Sequence, residues 1–164
     1  MSCERMRCIA GKQEDADALY GPASFLLTGP SKGQRGGCVK YFVLTNNPMV
    51  CEKAAAGADV VYKPGSIQGI FEEAACYIAQ GHRLLTHPLS GSVKPGETPY
   101  KSMLISSDAL QNMDLASARL ISSAIDACGK FSDKSGSYTE QTLRDLQLVD
   151  VSLISGAMDS ALVS

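Results

Sequence analysis

Short β-branched runs alternating with segments of helical period predict an α/β fold. The expected architecture is a single three-layer domain with a mostly parallel sheet, Rossmann-like in outline. Residues 39–45 are nearly continuous in apolar character, as in a strand buried on both faces. Residues 67–78 then place Ile67, Ile70, Phe71, Ala74, Ala75 and Ile78 on one helical stripe, the pattern of a helix resting on a sheet. Right-handed crossovers between such units put helices on both faces.

The elements follow in order. Residues 1–37 are a poorly patterned N-terminal extension that Gly and Pro interrupt repeatedly. Lys32-Gly33 within it lacks the spacing of a phosphate loop and the strand that precedes one. The α/β domain is expected over residues 38–155. Asn46-Asn47-Pro48 ends the first strand, because proline removes a donor and restricts its neighbour. A short helix over residues 49–56 stops at Gly57, and residues 59–62 form a second strand. Ser66 caps the long helix and Gly81 ends it. Residues 84–86 and 102–106 read as third and fourth strands. Asp114 caps a further helix with Leu120, Ile121, Ala124, Ile125 and Cys128 on its apolar stripe, closed by Gly129. Ser137 and Glu140 have the spacing of a capping box, opening a helix to about residue 146. Residues 149–153 alternate strictly and read as a half-exposed edge strand. Residues 156–164 are left as a C-terminal tail, frayed or a short helical turn.

Composition narrows the function classes. The 164 residues are 45% hydrophobic and 20% charged, ordinary values for one globular domain able to bury a core without disulfides. A net charge of -2, no Trp and few aromatics offer neither the field nor the stacking platform that a nucleic-acid partner requires. No apolar run is long enough for a membrane span, and no apolar core follows the first eight residues as in a secretory leader. The six cysteines form no C-x-x-C pair and read as reduced thiols of a cytoplasmic protein. No metal site and no cofactor are expected. His82 and His87 lie five apart, which sends them to opposite faces of an extended segment. Cys51, near a helix start, reads as a small buried hydrophobe.

The loop over residues 87–101 carries most of the chemistry. Loops beyond ~12 residues are uncommon in compact domains unless they function. In open α/β sheets such a loop emerges at the ligand-binding edge, here beside Asn46 and Asn47. Ser90, Gly91 and Ser92 can present backbone N–H groups and hydroxyls to one point, with Lys94 and Lys101 supplying positive charge. Thr98 and Tyr100 complete this candidate set for a phosphorylated or carboxylated ligand. His87 is the candidate acid or base, histidine being the residue type suited to that role near neutral pH, with Glu97 to orient it or to hold a ligand amine. Ser90 lacks the G-x-S-x-G elbow of a hydrolase nucleophile, and no complete catalytic constellation is present.

Thr45-Asn46-Asn47-Pro48 and the run from Gly81 to Ser102, Gly-His-Arg-Leu-Leu-Thr-His-Pro-Leu-Ser-Gly-Ser-Val-Lys-Pro-Gly-Glu-Thr-Pro-Tyr-Lys-Ser, resemble the GrdX family. These are small proteins encoded with selenium-dependent glycine, sarcosine and betaine reductase systems. The resemblance implies an accessory role beside reductase subunits, with no specific activity and no catalytic residues to carry over. Acetyl phosphate, the product of glycine reductase, is one anionic ligand this context implies, and a nucleotide is another. The family pattern begins near the first strand, so residues 1–37 depart from it.

Overall fold

The computed structural model describes residues 40–53, 58–91, 96–131 and 135–163. The N-terminal extension lies outside the described residues. Strand β1 (Tyr41–Thr45) is central, with β2 (Asp59–Tyr62) on one side and β3 (Ser102–Ser106) on the other. β1 and β2 run parallel, joined through helix α1 (Pro48–Lys53) as expected. β3 runs antiparallel to β1, pairing Thr45 with Ser102 and Tyr41 with Ser106. The sheet is therefore small and mixed, and the mostly parallel, Rossmann-like expectation is corrected. The chain reaches β3 through a long excursion with no helix directly before it, so no crossover forces a parallel direction.

Alternation along β1 and β3 sends successive side chains to opposite faces. On one face Leu44, Met103 and Ile105 pack against helix α2 (Ile67–Ala79) and helix α3 (Leu115–Cys128). On the other, Val43 and Leu104 meet Val50 of α1 and Ile154 of helix α4 (Glu140–Val163). The apolar run of β1 is thus covered on both sides. The α2 stripe is as expected, with Ile70, Phe71, Ala74 and Ile78 buried and Ser66 Oγ accepting the Gly69 N–H at 3.2 Å. Gly81, at φ +97°, lets its own N–H reach Ile78 O and that of His82 reach Tyr77 O, which satisfies the last carbonyls of α2. Asp114 caps α3 by accepting from Ser117 N, and Gly129 closes it. Among the described residues no helix is long and apolar enough to cross a membrane.

Further expectations are corrected element by element. Residues 84–86 do not form a full strand. Leu84 makes one isolated bridge to Ile105, and the Thr86 hydroxyl, rather than a carbonyl, accepts the Leu104 N–H at 3.1 Å. Leu120 is 38% exposed, because α3 turns Ser117, Ile121 and Ala124 inward instead. Ser137 lies in a 3-10 turn, and Thr139 Oγ1 accepts the Thr142 N–H at 3.2 Å, so the cap falls two residues later than expected. Residues 149–153 are helical. They sit inside α4, which passes through residue 156 without a break. Over so short a stretch alternation and helical period are hard to separate. The wider pattern decides, since Leu143, Leu146, Gln147, Asp150, Val151, Ile154, Ala157 and Met158 all lie on the less exposed side.

The continuity of α4 is testable at Gly156, which is exposed and where an added Cβ meets no atom within 4 Å. Gly156→Ala is expected to raise unfolding free energy by about 0.5–1 kcal/mol in urea titrations, since glycine is a poor residue for a helix interior. A frayed tail at this position gives no change.

Candidate functional site

The end of the sheet where β1 exits and β3 enters is built from hydrogen bonds. Asn47, fully buried, caps α1 by accepting the Met49 N–H on Oδ1 at 3.0 Å, with Pro48 at the first helical position. Its Nδ2 donates to Gln147 O at 3.0 Å and Asp150 Oδ2 at 2.9 Å, both on α4. Asp150 is only 5% exposed. Its Oδ1 also accepts from Ser102 N at 2.9 Å and its Oδ2 from Ser102 Oγ at 2.7 Å. Because the Ser102 hydroxyl proton goes to Asp150, the 2.6 Å contact between Thr45 Oγ1 and Ser102 Oγ has Thr45 as donor. Thr45 Oγ1 in turn accepts from Asn47 N at 2.9 Å. Donors thus point in one direction, from the Asn47 amide through two hydroxyls to the carboxylate.

Asn46 organises the loop instead. Its Nδ2 donates to Gly65 O at 2.8 Å and Pro99 O at 2.7 Å, and its Oδ1 accepts from Lys101 N at 2.8 Å. The loop is therefore clasped to the exits of β1 and β2, at the edge where the sequence places it.

Between this loop, α2, the end of α3 and α4 lies a cleft of about 490 Å³ including its open mouth. Its walls are largely apolar, with Ile67 and Phe71 from α2 and Leu146, Val149 and Leu153 from α4. Lys101 and Asp150 also line it. Lys101 is 8% exposed, and its Nζ donates to Ser90 O at 2.8 Å. Burial pushes the Lys101 ammonium below the usual lysine range, and the negative charge of Asp150 offsets this in part. Burial likewise raises the pKa of the Cys128 thiol at the cleft wall, which favours the uncharged form there. Gly91 has φ +89°, a backbone conformation that residues with a side chain rarely adopt, and a Cβ on it would push against the Leu153 side chain of α4.

The residues singled out in the sequence divide into groups. Ser90, Gly91, Thr98, Tyr100 and Lys101 line the cleft. Asn46 and Asn47 stand behind it, with their side chains engaged in holding the loop and α4. His87 is exposed and not on the cleft wall, its Nδ1 accepting the Leu89 N–H at 3.1 Å within its own turn. Glu97 is also off the wall, and its carbonyl accepts from Tyr138 Oη at 2.9 Å. Ser92 and Lys94 lie outside the described residues. His82, expected on the surface, is partly buried, with Nδ1 2.7 Å from Ser106 O and its ring edge-on to Phe42 and Tyr77. Among the described residues no group of His, Cys, Asp and Glu is arranged to hold a metal ion. Sequence reasoning missed Asp150 and the α4 wall. The available signal was a single carboxylate within a mostly apolar helical face.

A family model described as GrdX-like protein matches residues 42–159, which contain the whole hydrogen-bond network and every described residue of the cleft. No curated protein and no solved structure matches the chain.

Two expectations follow from this geometry. Asp150→Ala leaves the buried Ser102 N–H without its acceptor and is expected to cost about 3 kcal/mol by urea unfolding. Leu148→Ala, on the exposed side of the same helix, is expected to cost about 0.5 kcal/mol or less. For Lys101, a lowered folded pKa means that stability is lost as pH falls through that value and is fully present above 10.5, the ordinary lysine value. The stability of the wild-type protein relative to Lys101→Met is therefore expected to rise with pH in the alkaline window below 10.5, measured by urea unfolding at each pH.

Proposed function

The chain belongs to the GrdX-like family, and on that premise we propose that it is an accessory protein of the selenium-dependent glycine reductase system. It binds a reductase subunit or regulates its assembly. The family match carries this reading, because the proteins it resembles are encoded with such systems. The exposed side chains of Leu89, Val149 and Leu153 at the cleft supply apolar contact area of the kind protein partners bury.

A second reading is favoured by one observation, the buried Lys101 ammonium at the cleft wall. On this reading the cleft holds a small phosphorylated or carboxylated metabolite, with Lys101 as its counter-charge. An accessory protein that senses a metabolite combines both readings.

Affinity capture of the full chain from cells expressing the complete reductase system is expected to recover at least one reductase subunit, identified by mass spectrometry. Recovery of none removes the accessory reading. For the second reading, thermal unfolding is followed with phosphate, acetyl phosphate, nucleotides and glycine. A bound ligand at ~100 times its dissociation constant stabilises the native state by ~2.7 kcal/mol. That stabilisation is expected to be lost in Lys101→Met.

A further inference from the structure

Lys101 has less company than a buried ammonium ordinarily requires. Buried charges are normally paired and fully hydrogen-bonded, because their desolvation is otherwise uncompensated. Among the described residues, Lys63 and Glu73 form an ion pair at 3.3 Å, whereas Lys101 forms none. Its Nζ carries three N–H groups and spends one on Ser90 O. The carboxylate nearest in charge, Asp150, has its oxygens taken up by Ser102 and Asn47. Around this ammonium the cleft presents Ile67, Phe71, Leu146, Val149 and Leu153.

We propose that the cleft binds a small aliphatic monocarboxylate, its carboxylate on Lys101 Nζ and its chain between α2 and α4. The proposal rests on the small-anion reading given above and narrows its chemistry. Charge balance selects the monoanion. Lys101 and Asp150 together are neutral, so one added carboxylate leaves a single negative charge shared with the donors at the sheet end. A phosphate dianion leaves two in the same apolar surroundings, where charge is costly. The walls select the chain, since each methylene placed against them leaves water.

The test is isothermal titration calorimetry on the full chain with straight-chain monocarboxylates from acetate to octanoate, the matching alcohols, and inorganic phosphate. The expected result is tightening by about fourfold per methylene until the cleft is filled. The acids are expected to bind about tenfold or more tightly than the alcohols, as for a charge-assisted contact. Lys101→Met is expected to abolish that preference while leaving alcohol binding intact, which also shows that the variant is folded. Lys101-dependent phosphate binding with no gain from chain length overturns the monocarboxylate and leaves the small-anion reading standing. A chain-length gain that Lys101→Met does not alter overturns the counter-ion role and with it the proposal. Absence of heat from acids and phosphate alike overturns both.

Discussion

A carboxylate taken out of water must find donors inside the protein, and the position of α4 follows from where Asp150 finds them. Its three hydrogen bonds come from Asn47, the residue that caps α1, and from the amide and hydroxyl of Ser102 at the start of β3. Apolar contacts such as those of Ile154 with Val43 and Leu104 are not directional, and by themselves they permit a helix to rotate or slide over a sheet. Directed bonds to two separate points remove that freedom. Because Leu146, Val149 and Leu153 stand within a turn of Asp150, fixing the carboxylate also fixes the apolar wall of the cleft.

Two adjacent asparagines divide the work at the exit of β1. Asn46 holds the loop through Pro99 and Lys101, and Asn47 holds the helix through Gln147 and Asp150. The antiparallel direction of β3 makes this arrangement effective. It brings the residue that enters β3 beside the residues that leave β1, so that Lys101 arrives at the cleft directly from the strand register. A parallel β3 would carry the same lysine to the opposite end of the sheet. The loop's place near Asn46 agrees with the sequence reading, although the strand thought to deliver it is reduced to a single bridge at Leu84.

What could be read from the sequence was what rests on local periodicity. The α2 stripe, the caps at Ser66 and Asp114 and the apolar run of β1 are short-range signals, and each appears in the fold. The direction of β3 is a long-range property with no local mark. α4 was divided into a short helix, a strand and a tail because Asp150 interrupts its apolar face, and periodicity arguments count a carboxylate as an outward residue. The polarity that hid the helix is what anchors it. The same error concealed one wall of the cleft, since Leu146, Val149 and Leu153 belong to that helix. In the loop, residue type identified groups that line the cleft, such as Lys101 and Ser90. It could not tell that Asn46 and Asn47 are occupied in holding the structure together, because partners 53 and 103 residues away leave no trace in the neighbouring sequence.

The separation of α1 from α4 also has a meaning in time. The two helices cover the same face of the sheet, yet α1 is the first described helix that a ribosome makes and α4 the last. Until α4 has left the ribosome, Val43, Leu104 and Val50 lack the cover of Ile154, and Ser102 lacks its acceptor. The opposite face, closed by α2 and α3, can be complete while synthesis is still under way. A nascent chain that has made α3 but not α4 thus has one finished side and one side covered by α1 alone, and the arrival of Asp150 completes it.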